Sequence, residues 1–414
     1  IKSKRMKNGL VLGLLSIVLL SYSSHGQLNT TFGKGIINAV SEDSTWSMKF
    51  GLRFQSLYSG ETTINDNTGV GSSTNEFLIR RSRLKFDGFA FSPKLKYKLE
   101  IGLSNRDIGK ASDRTNVAPN MILDAVLKWN FYQNFELWAG QTKLPGNRER
   151  VISSANMQMV DRSQLNSNFN IDRDIGLQLR HKFQIGNQFV VKEIVAMSQG
   201  EGRNVVQDNI GGLQYTGRLE LLPLGDFSSK GDYFGSDLKR EAKPKLAIGA
   251  TYDYNDRAVK DRSNQGSYMT YDTDKDGNFD GYFYSNIATV FVDMMFKYKG
   301  VSIMGEYADR SSDQTVQTIV NDDLSTTTAT VFTGNSLNLQ AGYLFKSNWE
   351  VSGRYTEVNP TKVTGKSAFQ QYTFGVSKYI VGHSLKVQSD VSYTTTDNST
   401  NNKLMYRLQF DIHF

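Results

Sequence analysis

From residue 46 onward the chain is written in short runs in which apolar and polar residues alternate. In the first, Trp46, Met48, Phe50, Leu52 and Phe54 take one phase, and Ser47, Lys49, Gly51, Arg53 and Gln55 take the other. A later run sets Leu95, Tyr97, Leu99, Ile101 and Leu103 against Lys94, Lys96, Lys98, Glu100 and Gly102. Successive side chains of a β-strand point to opposite faces, so a period of two marks a strand with one apolar and one polar face. The dyad recurs near residues 123–131, 213–221, 246–254, 290–298, 385–391 and 404–414, and helical periodicity is almost absent. Sixteen strands are predicted, beginning near residues 46, 77, 94, 122, 134, 173, 188, 213, 245, 287, 301, 335, 348, 367, 383 and 403.

The connections alternate between short and long. Ser92-Pro93, Gln133, residues 185–187, Lys299-Gly300, Lys346-Ser347 and Val381-Gly382 are tight turns, whereas segments 58–76, 104–121, 144–172, 255–286 and 310–334 are long and polar. Segment 223–244 is long where a short turn is expected. An even strand number, short turns at one end and long loops at the other describe a membrane barrel rather than a soluble sandwich. The expected fold is therefore all-β: a transmembrane antiparallel β-barrel of sixteen strands, with long extracellular loops and short periplasmic turns. Trp46, Phe91, Trp129, Phe131, Tyr132, Trp138, Tyr298, Trp349, Tyr379 and Phe414 recur near strand ends, as aromatic girdles at the two bilayer interfaces would require. The final strand alternates Leu404, Tyr406, Leu408, Phe410, Ile412 and Phe414 with polar partners up to a terminal aromatic, which fits the same plan.

Residues 1–26 differ. Lys2, Lys4, Arg5 and Lys7 precede the apolar run Leu10–Leu20, and Ser24 and Gly26 stand at the −3 and −1 positions of a cleavage site before Gln27. This is the form of an export signal, and its apolar run is too short to span a bilayer as a helix. The expected organisation is a signal peptide at 1–26, a periplasmic segment at 27–45 and a barrel at 46–414, placed in the outer membrane of a Gram-negative bacterium.

Composition then narrows the chemistry. With no cysteine among 414 residues there is no disulfide, thiolate metal site or thiol nucleophile. The 48 Lys and Arg against 41 Asp and Glu give +7, but removal of residues 1–26 would leave 44 against 41, so placement matters more than the sum. By parity Arg81, Arg83 and Lys85 share the inward face of the second strand, Lys96 and Lys98 that of the third, and Arg53 that of the first. Cations at successive inward positions, about 6–7 Å apart, would pass a hydrated anion along the wall. Glu100, Asp124, Glu136, Glu220, Asp390 and Asp411 also point inward, so a charge-balanced wall is the plainer reading. Segment 144–172, with Arg173 just beyond it, carries Arg148, Arg150 and Arg162; folded into the lumen, it would form an arginine-bearing constriction.

The chain resembles the phosphate-selective porin O/P family of Gram-negative outer membranes. The resemblance rests on Gly33-Lys34-Gly35, on residues 79–88 leading to Tyr97-Lys98-Leu99-Glu100, and on Gly140-Gln141-Thr142-Lys143 with Glu149-Arg150. It continues through Ser153-Ser154, Asp161-Arg162-Ser163, residues 173–176, 217–225 and 245–250. It implies a homotrimer of sixteen-stranded barrels with 144–172 folded inward, and it matches Arg150 and Arg162 to arginines of that loop and Arg81 and Arg83 to those of the second strand. The function expected is a water-filled, anion-preferring porin for small solutes, with phosphate or polyphosphate as the cargo the family suggests. The alternative is a structural barrel whose long loops bind surface partners.

One motif lies outside that resemblance. Asp272, Asp274, Asp276, Asn278 and Asp280, with Gly277 between, have the spacing of a calcium loop, although position 12 is Phe283 rather than Glu. An acidic turn would read the same way. No cofactor is required by the remaining sequence. Catalysis finds no support, since His25, His181, His383 and His413 form no metal-ligand spacing and no nucleophile pairs with them, and no nucleic-acid motif is present.

Overall fold

The computed structural model describes residues 32–108, 120–205, 209–277 and 280–414. The expected signal peptide lies outside the described residues. Sixteen strands form the closed wall of one antiparallel sheet, to which the short strand Ile37–Val40 adds by pairing with the first: β1 (Trp46–Asn65), β2 (Gly69–Ala90), β3 (Ser92–Gly102), β4 (Ile122–Tyr132), β5 (Phe135–Lys143), β6 (Arg173–Ile185), β7 (Phe189–Ser198) and β8 (Gln214–Leu222). The second half comprises β9 (Lys245–Ala258), β10 (Ser285–Tyr298), β11 (Val301–Ser312), β12 (Gly334–Leu344), β13 (Trp349–Pro360), β14 (Phe369–Val381), β15 (Leu385–Thr396) and β16 (Asn401–His413). Each strand pairs with its neighbours in sequence, and β16 returns to β1 in a register running from Arg53↔His413 to Asn65↔Asn401. That last ladder closes the barrel and leaves no sheet edge, as a lipid-embedded sheet requires. Among the described residues no helix is long and apolar enough to cross a membrane.

Alternation carries the two faces as expected. In β10, Val290 and Val292 face outward while Thr289, Phe291, Asp293, Met295 and Lys297 are buried inside. Tight turns close one end; at Lys299-Gly300 both φ angles are positive, 47° and 93°, the geometry of a two-residue hairpin loop that matches strand twist. Trp46, Trp129 and Trp349 are exposed on the outer face near that end. Trp138 and Tyr379 are corrections: Trp138 faces the lumen, with Lys128 Nζ 3.7 Å and Arg180 Cζ 3.8 Å from its ring centroid, and Tyr379 is buried inside, its hydroxyl donating to Glu350 Oε2 at 2.6 Å. The expected loop at 58–76 is also corrected, since β1 and β2 run on through most of it as a continuous hairpin of 20- and 22-residue strands. A crossing needs only about 9–11 residues, so this hairpin projects well beyond the bilayer on the long-loop side.

Two segments fold into the barrel and give it a core. Residues 144–172 turn inward between β5 and β6 and include the short helices Arg148–Val151 and Gln164–Phe169, the second capped by the Ser163 hydroxyl. Their apolar side chains Leu144, Leu165, Phe169 and Ile171 pack on inward Phe291, Ala308 and Val358. Residues 223–244 fold in from the short-turn end, where Phe227 and Ile152 meet beside Met295 and Met304. The alternation rule is thus broken from the inside wherever the wall must receive an apolar loop.

Candidate functional site

The wall grips both inward segments through buried charge. Arg148 is fully buried; its Nε donates to Asp293 Oδ1 at 2.7 Å, its Nη1 donates to the Asp232 carbonyl at 3.1 Å, and Glu220 Oε1 lies 3.5 Å from Nη2. Glu306 Oε1 accepts the Glu149 backbone N–H at 2.6 Å. From the other segment, the carbonyls of Gly231, Phe234, Gly235 and Ser236 all lie within 3.0 Å of Lys297 Nζ. The two segments touch where Gly235 N–H donates to the Asn156 carbonyl at 2.6 Å. A Cβ at Gly235 would sit 2.4 Å from the Gln158 nitrogen, so the approach needs glycine.

Beside them a cavity of about 1320 Å³ traverses the barrel. Its wall runs from Arg106, Arg203 and Gln265 at the long-loop end to Asn134, Lys182 and Asp226 at the short-turn end. Seventeen Lys and Arg side chains line it against nine Asp and Glu, so the path carries a net excess of positive charge.

The residues singled out in the sequence divide between several environments. Arg81 and Arg83 line the cavity; Arg81 donates to Gln55 Oε1 and lies 3.5 Å from Asp161, and Arg83 is bound by Asp107 at 2.6 Å and Glu100 at 2.9 Å. Lys98 also lines it, between Asp124 at 2.7 Å and Glu100 at 2.9 Å. Arg53 and Lys85 open instead onto a second cavity, the first held by Asp411 at 2.7 Å and the second by Asp87 at 2.9 Å. Lys96 lines neither cavity and is exposed beyond them toward the short-turn rim. The plainer expectation of a charge-balanced wall therefore describes much of this ladder.

On the inward loop, Arg150 lines the cavity with its Nε 2.6 Å from Asp172, and Arg173 lines it beside Asp124 at 3.1 Å. Arg162 lines it too, and donates only to the carbonyls of Glu149 at 2.9 Å and Ile152 at 2.8 Å. Burial lowers the Arg162 pKa to about 10, with Glu149 and Asp161 opposing and Arg173 and Arg83 adding to that fall. Arg148 is a correction to the expected constriction set. It does not line the cavity, and its guanidinium is consumed in anchoring the loop.

Several lining cations went unnoticed in the sequence. A bulge between Gln55↔Arg81 and Ser56↔Ile79 turns Arg80 inward, where its Nη2 lies 3.0 Å from both oxygens of Asp161. Burial raises the Asp161 pKa, but the charges of Arg80, Arg81 and Arg407 outweigh it and hold the carboxyl well below its usual range. Lys143 donates to the Arg150 carbonyl at 2.7 Å, while Lys128 and Arg180 flank Trp138. With Arg162, these three are among the lining cations that make no direct ion pair among the described residues.

The acidic outer loop stands apart. Carboxyl oxygens of Asp272, Asp274 and Asp276 lie within 4.8 Å of one another, a spacing that one hard cation would bridge. Asp280 is turned to the Thr273 backbone N–H at 2.6 Å, Phe283 is buried, and Asn278 lies outside the described residues.

Residues 48–225 match the family model described as phosphate-selective porin O and P. Over that span the chain is similar to this family. The solved structures that the chain resembles include an anion-selective porin from Comamonas acidovorans, at 11% identity and TM-score 0.52, covering 89% of this chain and 100% of that one. A loop-deletion mutant of OmpT from Vibrio cholerae gives 11% identity, TM-score 0.51, and 89% and 99% coverage. The channel DcaP of Acinetobacter baumannii gives 13%, 0.50, and 90% and 99%. At such identities the likeness establishes the fold. No curated protein sequence matches the chain significantly. The partial family match and the barrel fold together support an outer-membrane porin channel.

Proposed function

We propose that this porin passes small anions in preference to cations. The observation that carries the reading is the wall of the end-to-end cavity, where seventeen cationic side chains face nine carboxylates. Wall charge sets selectivity at such distances because a permeating ion trades part of its hydration for fixed charges of opposite sign. Arg81, Arg83 and Lys98 supply a partly neutralised approach, and Arg162, Lys143, Lys128 and Arg180 supply attraction that no direct ion pair cancels. Their guanidinium forks and ammonium groups suit oxyanions, phosphate above all, and the many neutralised neighbours keep binding weak enough for release.

The same reading takes the working unit as a homotrimer, exported by residues 1–26, with a calcium ion held in the outer loop by Asp272, Asp274 and Asp276. The alternative, a barrel that serves only to display its loops, is less favoured by a cavity lined from end to end. Reversal potentials in a planar bilayer under a KCl gradient test the proposal. Anion preference is expected, with chloride current reduced by millimolar phosphate; cation preference would overturn it. Loss of phosphate inhibition in R162A would place the filter on the inward loop.

A further inference from the structure

A second cavity, of about 570 Å³, adjoins the first across Arg83, Lys98, Asn156 and Phe234 and reaches the short-turn end beside Lys239 and Val381. Its chemistry differs from that of the main path. Ala155, Phe234, Leu238 and Phe414 give it an apolar wall. Most of its ionic groups are already engaged: Arg53 by Asp411 and Ser154, Lys85 by Asp87, Lys297 by carbonyls, Asp237 by the Glu241 and Gly300 backbone N–H groups, and Glu241 by Ser228. Lys49 and Lys239 line it without an ion pair among the described residues, and Lys239 is exposed.

His383 lines the same cavity. It is only 6% exposed, lies between the rings of Tyr379 at 5.3 Å and Phe234 at 5.7 Å, and neither of its ring nitrogens has a hydrogen-bond partner. A buried polar group left open costs about 1–3 kcal/mol, which asks for an explanation. Burial, reinforced by Lys386, Lys297, His413 and Arg53, holds this imidazole well below its ordinary pKa, so it is neutral and offers one N–H donor and one acceptor. A few hundred Å³ of mostly apolar wall with a few convergent polar groups is the general form of a small-molecule site.

We propose that this cavity binds small organic carboxylates, with an aromatic or short aliphatic body against Phe234, Leu238 and Phe414. The carboxylate is drawn in by Lys49 and Lys239 and accepts from the His383 ring once that ring turns one of its buried nitrogens toward the cavity. Hydrated inorganic anions gain nothing from the apolar wall and keep to the main path. The site is independent of the ion preference proposed above, because none of its apolar or imidazole groups contributes to that preference.

The test uses the full-length protein in detergent, with sodium benzoate as probe and isothermal titration as readout. Saturable benzoate binding is expected, weakened at least tenfold by H383Q and by L238W and unchanged by R162A. L238W fills the cavity from a half-exposed position at the mouth, so it remains informative where H383Q fails to fold. In planar bilayers L238W is expected to leave chloride conductance as in the wild type. Absence of saturable binding, binding unaffected by folded L238W, or equal loss in R162A would each overturn the proposal.

Discussion

Arg148 ties both inward segments to the wall, and R148M isolates that function. The substitution keeps most of the volume and removes the charge. Lost with it are the 2.7 Å bond to Asp293, the 3.1 Å bond to the Asp232 carbonyl and the 3.5 Å contact with Glu220, all in a fully buried setting. Removing one partner of a buried ion pair costs about 3–5 kcal/mol, because the opposite charge is left uncompensated. Here Arg218 still binds Asp293 at 2.7 Å and Glu220 at 2.8 Å, so the low end applies. About 3 kcal/mol, at about 1.4 kcal/mol per tenfold, raises the population of the undocked loop roughly a hundredfold. The barrel ladder itself is untouched. Single-channel recording should therefore show noisier open states and brief excursions to larger conductance, with the barrel still resistant to detergent. A folded R148M channel with wild-type noise and conductance would refute the argument that this arginine holds the loop down.

Four further outcomes follow from the same structure. G235V should force the two inward segments apart, since its Cβ would meet the Gln158 nitrogen at 2.4 Å, and limited proteolysis should then cut within 223–244 where the wild type is resistant. Stability measured by urea unfolding should fall as pH drops below the ordinary histidine value of 6.5, because the unfolded chain takes up a proton that buried His383 refuses. The slope from this group is up to about 1.4 kcal/mol per pH unit, and H383Q should reduce the total. The Asp161 latch, whose folded pKa is depressed, contributes fully above 3.8 and should weaken only at more acid pH. Terbium luminescence sensitised by the tyrosines of the outer loop should appear in the wild type and vanish in D274N; no signal in the wild type would remove the calcium site.

Most of the barrel was legible because lipid imposes a simple rule. A strand such as Leu404–Phe414 must show an apolar face of fixed period, and turns such as Lys299-Gly300 announce themselves by composition. The lumen obeys no such rule. Lys128 and Arg180 follow from the same alternation that predicted Asp124 and Arg81, yet their pairing around Trp138 depends on registers between three strands. Arg80 was hidden by a bulge that parity cannot see. Arg148 and Arg162 are chemically alike and fourteen residues apart, and only the fold shows that one anchors the loop while the other faces the path. The length of β1 and β2 was missed because, beyond the membrane, residues 58–76 need no apolar face.

The filled lumen also sets how this chain is free to vary over time. Outward Val290 and Val292 need only be apolar, so many side chains serve there. Inward neighbours must match a shape or a charge: Phe291 packs on the folded-in loop, and Asp293 answers two arginines. The usual order of a soluble protein is therefore inverted in part. Its outer surface drifts within one broad class of residue, while the most particular demands fall on the polar interior, so relatives should diverge fastest on the face that touches lipid and at the loop tips.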